Sequence, residues 1–369
     1  MRHINILIKP ASSLCNMNCA YCFYKDEASK RETASYGIMS DETAKTVVDN
    51  IYASVAKNDT VSICFQGGEP TLAGLEWFEK FKAYVSEKDK YKNTYFSIQT
   101  NALILDDDWC RYLKKNKFLV GVSLDGMKDN HDYVRKDASG NGTYKRVIES
   151  IGMLKKYGVE FNVLMTLTNS LARHPAAVWK FIRENGLEYV QFTPCIAPIG
   201  GESAYSLTPD RFKTFYTEIF RYWKEACLKG EYYSIKLFDD LISLTAFAQM
   251  NACGITGYCS PQIVVESDGS TYPCDFYMLD NWKTGNLKEN TLDEIMTCEV
   301  NDLFKNRARI RPLCSECRYK AICGGGCERM QESVCYAEGD SKCSYKEFLD
   351  DIMEDILVIA DNMRSRAGK

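Results

Sequence analysis

Cys15, Cys19 and Cys22 stand at C-x3-C-x2-C spacing directly after a short apolar run, Ile4–Lys9. Three thiolates on one loop are one fewer than a [4Fe–4S] cube takes. One iron would stay open to an outside ligand, which suits redox chemistry on a bound molecule. Structural zinc closes with four ligands, and no fourth Cys or His lies close by. A second cysteine group comprises Cys253, Cys259 and Cys274, then Cys314-x2-Cys317-x5-Cys323-x3-Cys327, then Cys343. Those eight thiolates suffice for two fully ligated cubes. The expected sets are Cys253, Cys259, Cys274 and Cys327, and Cys314, Cys317, Cys323 and Cys343. The glycine run Gly324–Gly326 lets the backbone turn sharply between the sets. A zinc ribbon is the alternative for either quartet. Cys64, Cys110, Cys195, Cys227, Cys298 and Cys335 remain and read as packing residues. Cys64 and Cys195 lie near the rim where a ligand would sit.

These loops need a frame. Strand-like runs fall at Ile4–Lys9, Val61–Gln66, Thr94–Gln99, Phe118–Ser123, Phe161–Leu167 and Tyr189–Thr193. Amphipathic helical patterns lie between them, beginning with a helix capped by Ser40, and a further one follows at about Pro209–Lys229. Six β-α units with apolar strands predict an α/β fold with a parallel sheet. Eight units would close a TIM barrel; six predict a partial (β/α)6 TIM-like barrel with a lateral opening. A flat doubly wound sheet is the alternative. The loops after the strands carry Gln66-Gly67-Gly68-Glu69-Pro70, Gln99-Thr100-Asn101, Ser123 and Pro194-Cys195-Ile196. Gly67 and Gly68 permit close backbone approach to a ligand, and Glu69 can accept from an ammonium. Arg135 suits bidentate carboxylate binding, with a solvated surface arginine as the other reading. Ile196 is either an apolar wall or plain core. From about Asn251 the cysteines become dense, and a C-terminal helix follows at Tyr345–Arg364. The expected division is 1–230 for the partial barrel, 231–345 for the cysteine-rich domain and 346–369 for the C-terminal helix.

The chain of 369 residues is 45% apolar, enough for a large domain and a smaller one. Net charge is −4 without a basic block, so no nucleic-acid partner is expected. No apolar run reaches membrane-spanning length and no signal peptide opens the chain, so a cytoplasmic protein without a membrane partner is expected. Seventeen cysteines in a reducing compartment point to metal rather than disulfides. Only three histidines exist, which leaves proton transfer mainly to Asp, Glu, Tyr or Lys.

Taken together, these residues resemble the radical S-adenosylmethionine (SAM) enzymes with a SPASM twin-cluster domain, and within them the anaerobic sulfatase-maturating enzymes. The resemblance is carried by the cysteine pattern and by Lys9-Pro-Ala-Ser-Ser, Cys22-Phe23-Tyr24, Tyr36-Gly-Ile-Met39, Phe65-Gln-Gly-Gly-Glu-Pro-Thr-Leu72 and Tyr272-Pro-Cys-Asp-Phe-Tyr277. It implies three [4Fe–4S] clusters and SAM, whose cleavage gives a 5′-deoxyadenosyl radical. SAM would be held by Phe23, Gly67, Gly68, Glu69, Ser123 and Arg135, with Ile196 against adenine. The implied reaction oxidises an active-site Cys or Ser of a sulfatase polypeptide to Cα-formylglycine after removal of a Cβ hydrogen.

Asp275 matches the family's proposed base. An ordinary carboxylate and an ordinary thiol are mismatched by about 4–5 pK units, about 6 kcal/mol. Proton loss coupled to electron loss is therefore the expected course. Tyr24, Gln66, Gln99 and Asn101 are expected substrate contacts, since amide side chains can read a peptide backbone. The resemblance also implies a flavodoxin- or ferredoxin-type electron donor and a monomer. The other readings are a SPASM-type maturase forming thioether or carbon–carbon crosslinks on a ribosomal peptide, and a zinc-stabilised interaction protein.

Overall fold

The computed structural model describes residues 2–249, 253–254, 256–307, 312–336, 339 and 341–367. Asn251, where the cysteine-rich style begins, and the last two residues of the expected C-terminal helix lie outside them. Ten strands follow in chain order: β1 His3–Ile8, β2 Thr60–Phe65, β3 Thr94–Thr100, β4 Leu119–Ser123, β5 Phe161–Leu167, β6 Tyr189–Pro194, β7 Ser234–Ile235, β8 Ile263–Val265, β9 Ser270–Tyr272 and β10 Gly285–Asn286. The six expected strands are β1–β6; β5 has its expected bounds and the others differ by one residue at one or both ends.

The chain forms two compact units that interleave along the sequence. One comprises Met1–Ser123, Val134–Phe161 and Pro261–Arg307; the other comprises Leu124–Tyr133, Asn162–Ser260 and Ala308–Lys369. In the first, the sheet order is β10-β9-β8-β1-β2-β3-β4. Strands β1 to β4 run parallel, each in register with the next. Alternate residues Ile4, Ile6 and Ile8 of β1 are buried, the period of a strand packed on a core. The helix Asp41–Ala53 begins where Ser40 accepts from Thr43 N–H, and Asp106 caps Asp107–Lys115 in the same way. Phe65, Trp77, Phe78, Phe81 and Phe96 fill the space beneath with edge and stacked ring contacts.

Three strands were not expected in this unit. Ile263–Val265 joins the edge of β1, parallel, pairing Ile6 with Ile263 and Ile8 with Val265. β9 and β10 extend it as antiparallel partners. The cysteine-rich segment therefore contributes to the same sheet as the first strand. It brings Glu266, Cys274 and Asp275 to the end of β1 that leads into the cysteine loop.

In the second unit, β5, β6 and β7 are parallel. The helix Pro209–Leu228 and the C-terminal helix Ser344–Ala367 pack through Phe212, Tyr216 and Phe348. Among the described residues no helix is long and apolar enough to cross a membrane.

Candidate active site and cluster loops

In the first unit, β1 runs straight into Lys9 and the loop that carries Cys15, Cys19 and Cys22. The loop is pinned from one side by Asn18 N–H to Lys136 O at 2.8 Å and Ala20 N–H to Val134 O at 2.9 Å. It is pinned from the other by Gly68 N–H to Ser12 O at 2.9 Å and Glu69 N–H to Leu14 O at 2.7 Å. Cys15 is exposed, and Cys19 and Cys22 are half-buried. Polar groups meet these sulfurs: Asn101 Nδ2 donates to Cys15 Sγ at 3.8 Å and Arg135 Nη1 to Cys19 Sγ at 4.0 Å. Arg135 is buried, so the solvated-surface reading falls away.

The two glycines are dictated by close approach. A Cβ at Gly67, whose φ is +138°, would lie 3.0 Å from Ser12 O, and one at Gly68 would lie 2.1 Å from Leu14 O. Glu69 has a structural role that the sequence did not show. Its carboxylate is fully buried and accepts from Thr71 N–H, Thr71 Oγ1, Thr100 Oγ1 and Asn101 N–H at 2.5–3.0 Å. Burial pushes the carboxyl up, and these donors oppose that shift. Oε1 takes three of these bonds and Oε2 one, so Glu69 ties the loop after β2 to the loop after β3 while Oε2 keeps a second lone pair. Glu69→Gln would place an amide N–H against these donors. Equilibrium dialysis of reconstituted protein should show SAM affinity reduced by about tenfold, the effect of about 1.4 kcal/mol. Unchanged affinity would mean the tie is dispensable.

Asp275 opens a short 3-10 turn directly after Cys274, whose sulfur accepts from Phe276 N–H at 3.4 Å. Its Oδ1 lies 2.5 Å from Lys9 Nζ, and its Oδ2 accepts from Gln66 Nε2 at 2.7 Å. Lys9 is completely buried, with its ammonium 3.8 Å from the centre of the Tyr24 ring. Neither Lys9 Nζ nor Asp275 Oδ1 has a further hydrogen-bond partner among the described residues. A buried charge with one counter-ion holds that counter-ion firmly.

Tyr24 also departs from expectation. It packs in a core with Val264, Tyr272 and Met278, and its hydroxyl donates to Glu266 Oε2 at 2.7 Å. Arg31 bonds the same carboxylate oxygen at 2.7 Å. Burial and the neighbouring Glu266 push the Tyr24 phenol up. Its hydroxyl is thus committed to this buried network, and its ring supports Lys9. Phe23 is half-buried, edge-on to Phe276 at 4.9 Å. Gln99 Nε2 donates to Ser123 Oγ at 3.0 Å, and Asn101 Nδ2 donates to Asn16 at 2.8 Å. Lys9 was the residue missed: it sits in the quoted Lys9-Pro-Ala-Ser-Ser segment, one position past a buried strand.

The second unit holds the other expected ligands. Cys253, Cys259 and Cys327 lie together, close enough to influence one another's charge. Cys314, Cys317, Cys323 and Cys343 do likewise. Gly324, Gly325 and Gly326 all have φ between +53° and +98°, and a Cβ on Gly324 would lie 2.1 Å from Thr256 O. Cys253, Cys323 and Cys327 face a cavity of about 130 Å³. Cys274 belongs to the first unit. Ile196 is buried beyond β6 in the second. Cys195 beside it is buried, its thiol pushed up to about 12 by burial, and packs rather than reacts. Among the described residues no three His, Cys, Asp or Glu side chains converge on one metal-ion position.

Residues 10–172 match the radical SAM superfamily and residues 253–318 the iron–sulfur cluster-binding SPASM domain. A cysteine-type anaerobic sulfatase-maturating enzyme from Clostridium perfringens is 40% identical over 99% of this chain and 100% of its own length. A serine-type anaerobic sulfatase-maturating enzyme from Klebsiella pneumoniae is 30% identical over 88% of this chain and 81% of its own. The solved structure of native anSMEcpe with bound AdoMet and Cp18Cys peptide superposes with a TM-score of 0.89 at 38% identity, covering 98% and 99% of the two chains.

Proposed function

This chain belongs to the anaerobic sulfatase-maturating enzymes, radical SAM enzymes with a SPASM domain, and from that premise we propose that it oxidises a cysteine of a sulfatase polypeptide to Cα-formylglycine. The observation that carries this reading is the clamp on Asp275, a carboxylate held between Lys9 and Gln66 beside Cys274. The 40% identity to a cysteine-type relative, against 30% to a serine-type one, supports cysteine as the target.

The residues present fit the cofactors. Cys15, Cys19 and Cys22 offer three thiolates on one pinned loop, with Asn101 and Arg135 donating toward them. Gly67 and Gly68 keep side chains out of the space beside that loop. The two quartets are assigned to the auxiliary clusters, with Cys274 completing the first. When bound, SAM and the N-terminal cluster supply the hydrogen-abstracting radical, and the auxiliary clusters supply an electron acceptor.

The chain's own residues do the rest. Asp275 receives the substrate thiol proton, at the oxygens that Lys9 and Gln66 orient. Arg135, Phe23, Glu69, Ser123 and Ile196 hold SAM, with Gly67 and Gly68 giving the backbone close approach. Gln66 and Gln99 present amides to the substrate peptide, whereas the buried Asn101 amide, expected there too, is spent on Cys15, Asn16 and Leu103 and holds the cysteine loop. The substrate side chain loses one hydrogen atom, one proton and one electron, and the resulting thioaldehyde hydrolyses to the aldehyde with release of sulfide. The proposed division is 1–230 for SAM handling, 231–345 for the clusters and 346–369 for the C-terminal segment, in a cytoplasmic monomer served by a flavodoxin- or ferredoxin-type donor.

The test uses anaerobically reconstituted protein, SAM, a reductant and synthetic peptides carrying Cys-x-Pro-x-Arg or its Ser version. Mass spectrometry should show conversion of the cysteine peptide to a hydrazine-trappable aldehyde, with the serine peptide slower. Deoxyadenosine formed without peptide change would move the substrate elsewhere and favour a crosslinking maturase.

A further inference from the structure

Two buried ion pairs share one aromatic ring in the first unit. Lys9 and Asp275 form one, 2.5 Å apart. Arg31 and Glu266 form the other at 2.7 Å, both side chains wholly buried. Tyr24 touches both pairs. Its ring centre lies 3.8 Å from Lys9 Nζ and 5.5 Å from the guanidinium carbon of Arg31. Its hydroxyl donates to Glu266 Oε2 at 2.7 Å. Glu266 is filled by three donors: Oε2 accepts from Tyr24 and Arg31, and Oε1 accepts from Ser267 N–H at 2.8 Å. Arg31 is held at its other end, where Nη2 donates to Ala34 O at 2.9 Å.

Charges taken out of water act on one another strongly. Two cations and two anions around one ring can pair in two ways, and the hydrogen bonds fix which. Three donors occupy Glu266, so it does not draw Lys9 away from Asp275. Glu266 neutralises Arg31, so Arg31 does not draw Asp275 away from Lys9. The tied phenol holds the ring still, and the ring attracts the ammonium without offering it a second anion. Lys9 is left with Asp275 as its counter-ion. We propose that Arg31 and Glu266 are positioning residues that act through Tyr24 to keep Lys9 on Asp275 and the carboxylate at its station. As a statement about catalysis the inference rests on Asp275 being the base of the proposed reaction. As a statement about the two ion pairs it stands on the contacts alone.

The test measures the coupling of Lys9 with Asp275 in the full chain, reconstituted anaerobically. It uses the double-mutant cycle of Lys9→Met and Asp275→Asn, read by urea unfolding. The cycle is run in the wild-type chain, in Arg31→Met/Glu266→Gln and in Tyr24→Phe. The first background removes both charges of the second pair together, a change that buried pairs often tolerate. Tyr24→Phe keeps the ring and cuts its tie to Glu266, and covers the case in which the first background does not fold. The coupling should fall by about half or more in Arg31→Met/Glu266→Gln and by less in Tyr24→Phe. With SAM, reductant and the cysteine peptide, both backgrounds should also give less aldehyde per deoxyadenosine than the wild-type chain. A purely structural role would lower stability in each background and leave the coupling and this ratio unchanged. Coupling equal to wild type in every background that folds would overturn the proposal, and so would additivity in the wild-type chain itself. No SAM or peptide enters the cycle. A wild-type chain that made no aldehyde would therefore defeat the proposed function and leave the coupling readable.

Discussion

Asp275→Asn should lower formylglycine formation by about 10²–10⁴-fold, the range a positioned general base contributes, while reductive SAM cleavage continues. Asparagine keeps the shape of the side chain and an oxygen that can face Gln66 or Lys9. What it loses is the capacity to take up a proton. Within this unit the histidine, His3, bonds Thr60 and Ser62 along β2. The measurement pairs deoxyadenosine by chromatography with aldehyde by mass spectrometry in the same reaction. Deoxyadenosine at the wild-type level with little aldehyde is the expected split. Aldehyde at the wild-type rate would place the base elsewhere.

Lys9→Met should destabilise the protein by about 3–5 kcal/mol, the usual cost of breaking a buried ion pair from one side. Methionine fills a similar volume but leaves Asp275 without its cation. It also loses the contact of the ammonium with the Tyr24 ring. The comparison that isolates the pair is a double-mutant cycle with Asp275→Asn. Removing both charges should cost clearly less than the sum of the single changes, because neither variant group then remains as a stranded ion. Urea unfolding of the reconstituted chain, followed by tryptophan fluorescence, reads the four species. Strict additivity would show that Lys9 and Asp275 do not stabilise each other.

Much of the frame was legible because its signals are local. The six strands β1–β6 are long enough to show apolar runs, and the cap at Ser40 precedes its helix in sequence. The cysteine loop and Gly67-Gly68 were legible because ligand spacing and the need for absent side chains are written in neighbouring residues. β8 was not, since three residues carry no periodicity. The fates of Tyr24, Glu69 and Lys9 were hidden for another reason. Each is decided by a partner distant in sequence, Glu266 for Tyr24, Thr100 and Asn101 for Glu69, Asp275 for Lys9. A residue type says which bonds a side chain can make, and the fold decides which one it makes first.

The parallel pairing of β1 with β8 also sets a schedule. During synthesis, the first strand waits with one edge open, and Lys9 waits without its anion, until a segment about 250 residues later leaves the ribosome. At typical elongation rates of about 5–20 residues per second that delay is roughly 12–50 s. Pairing so far apart in sequence is also slow in itself. During this interval the nascent N-terminal half exposes both a strand edge and three cysteines meant for iron.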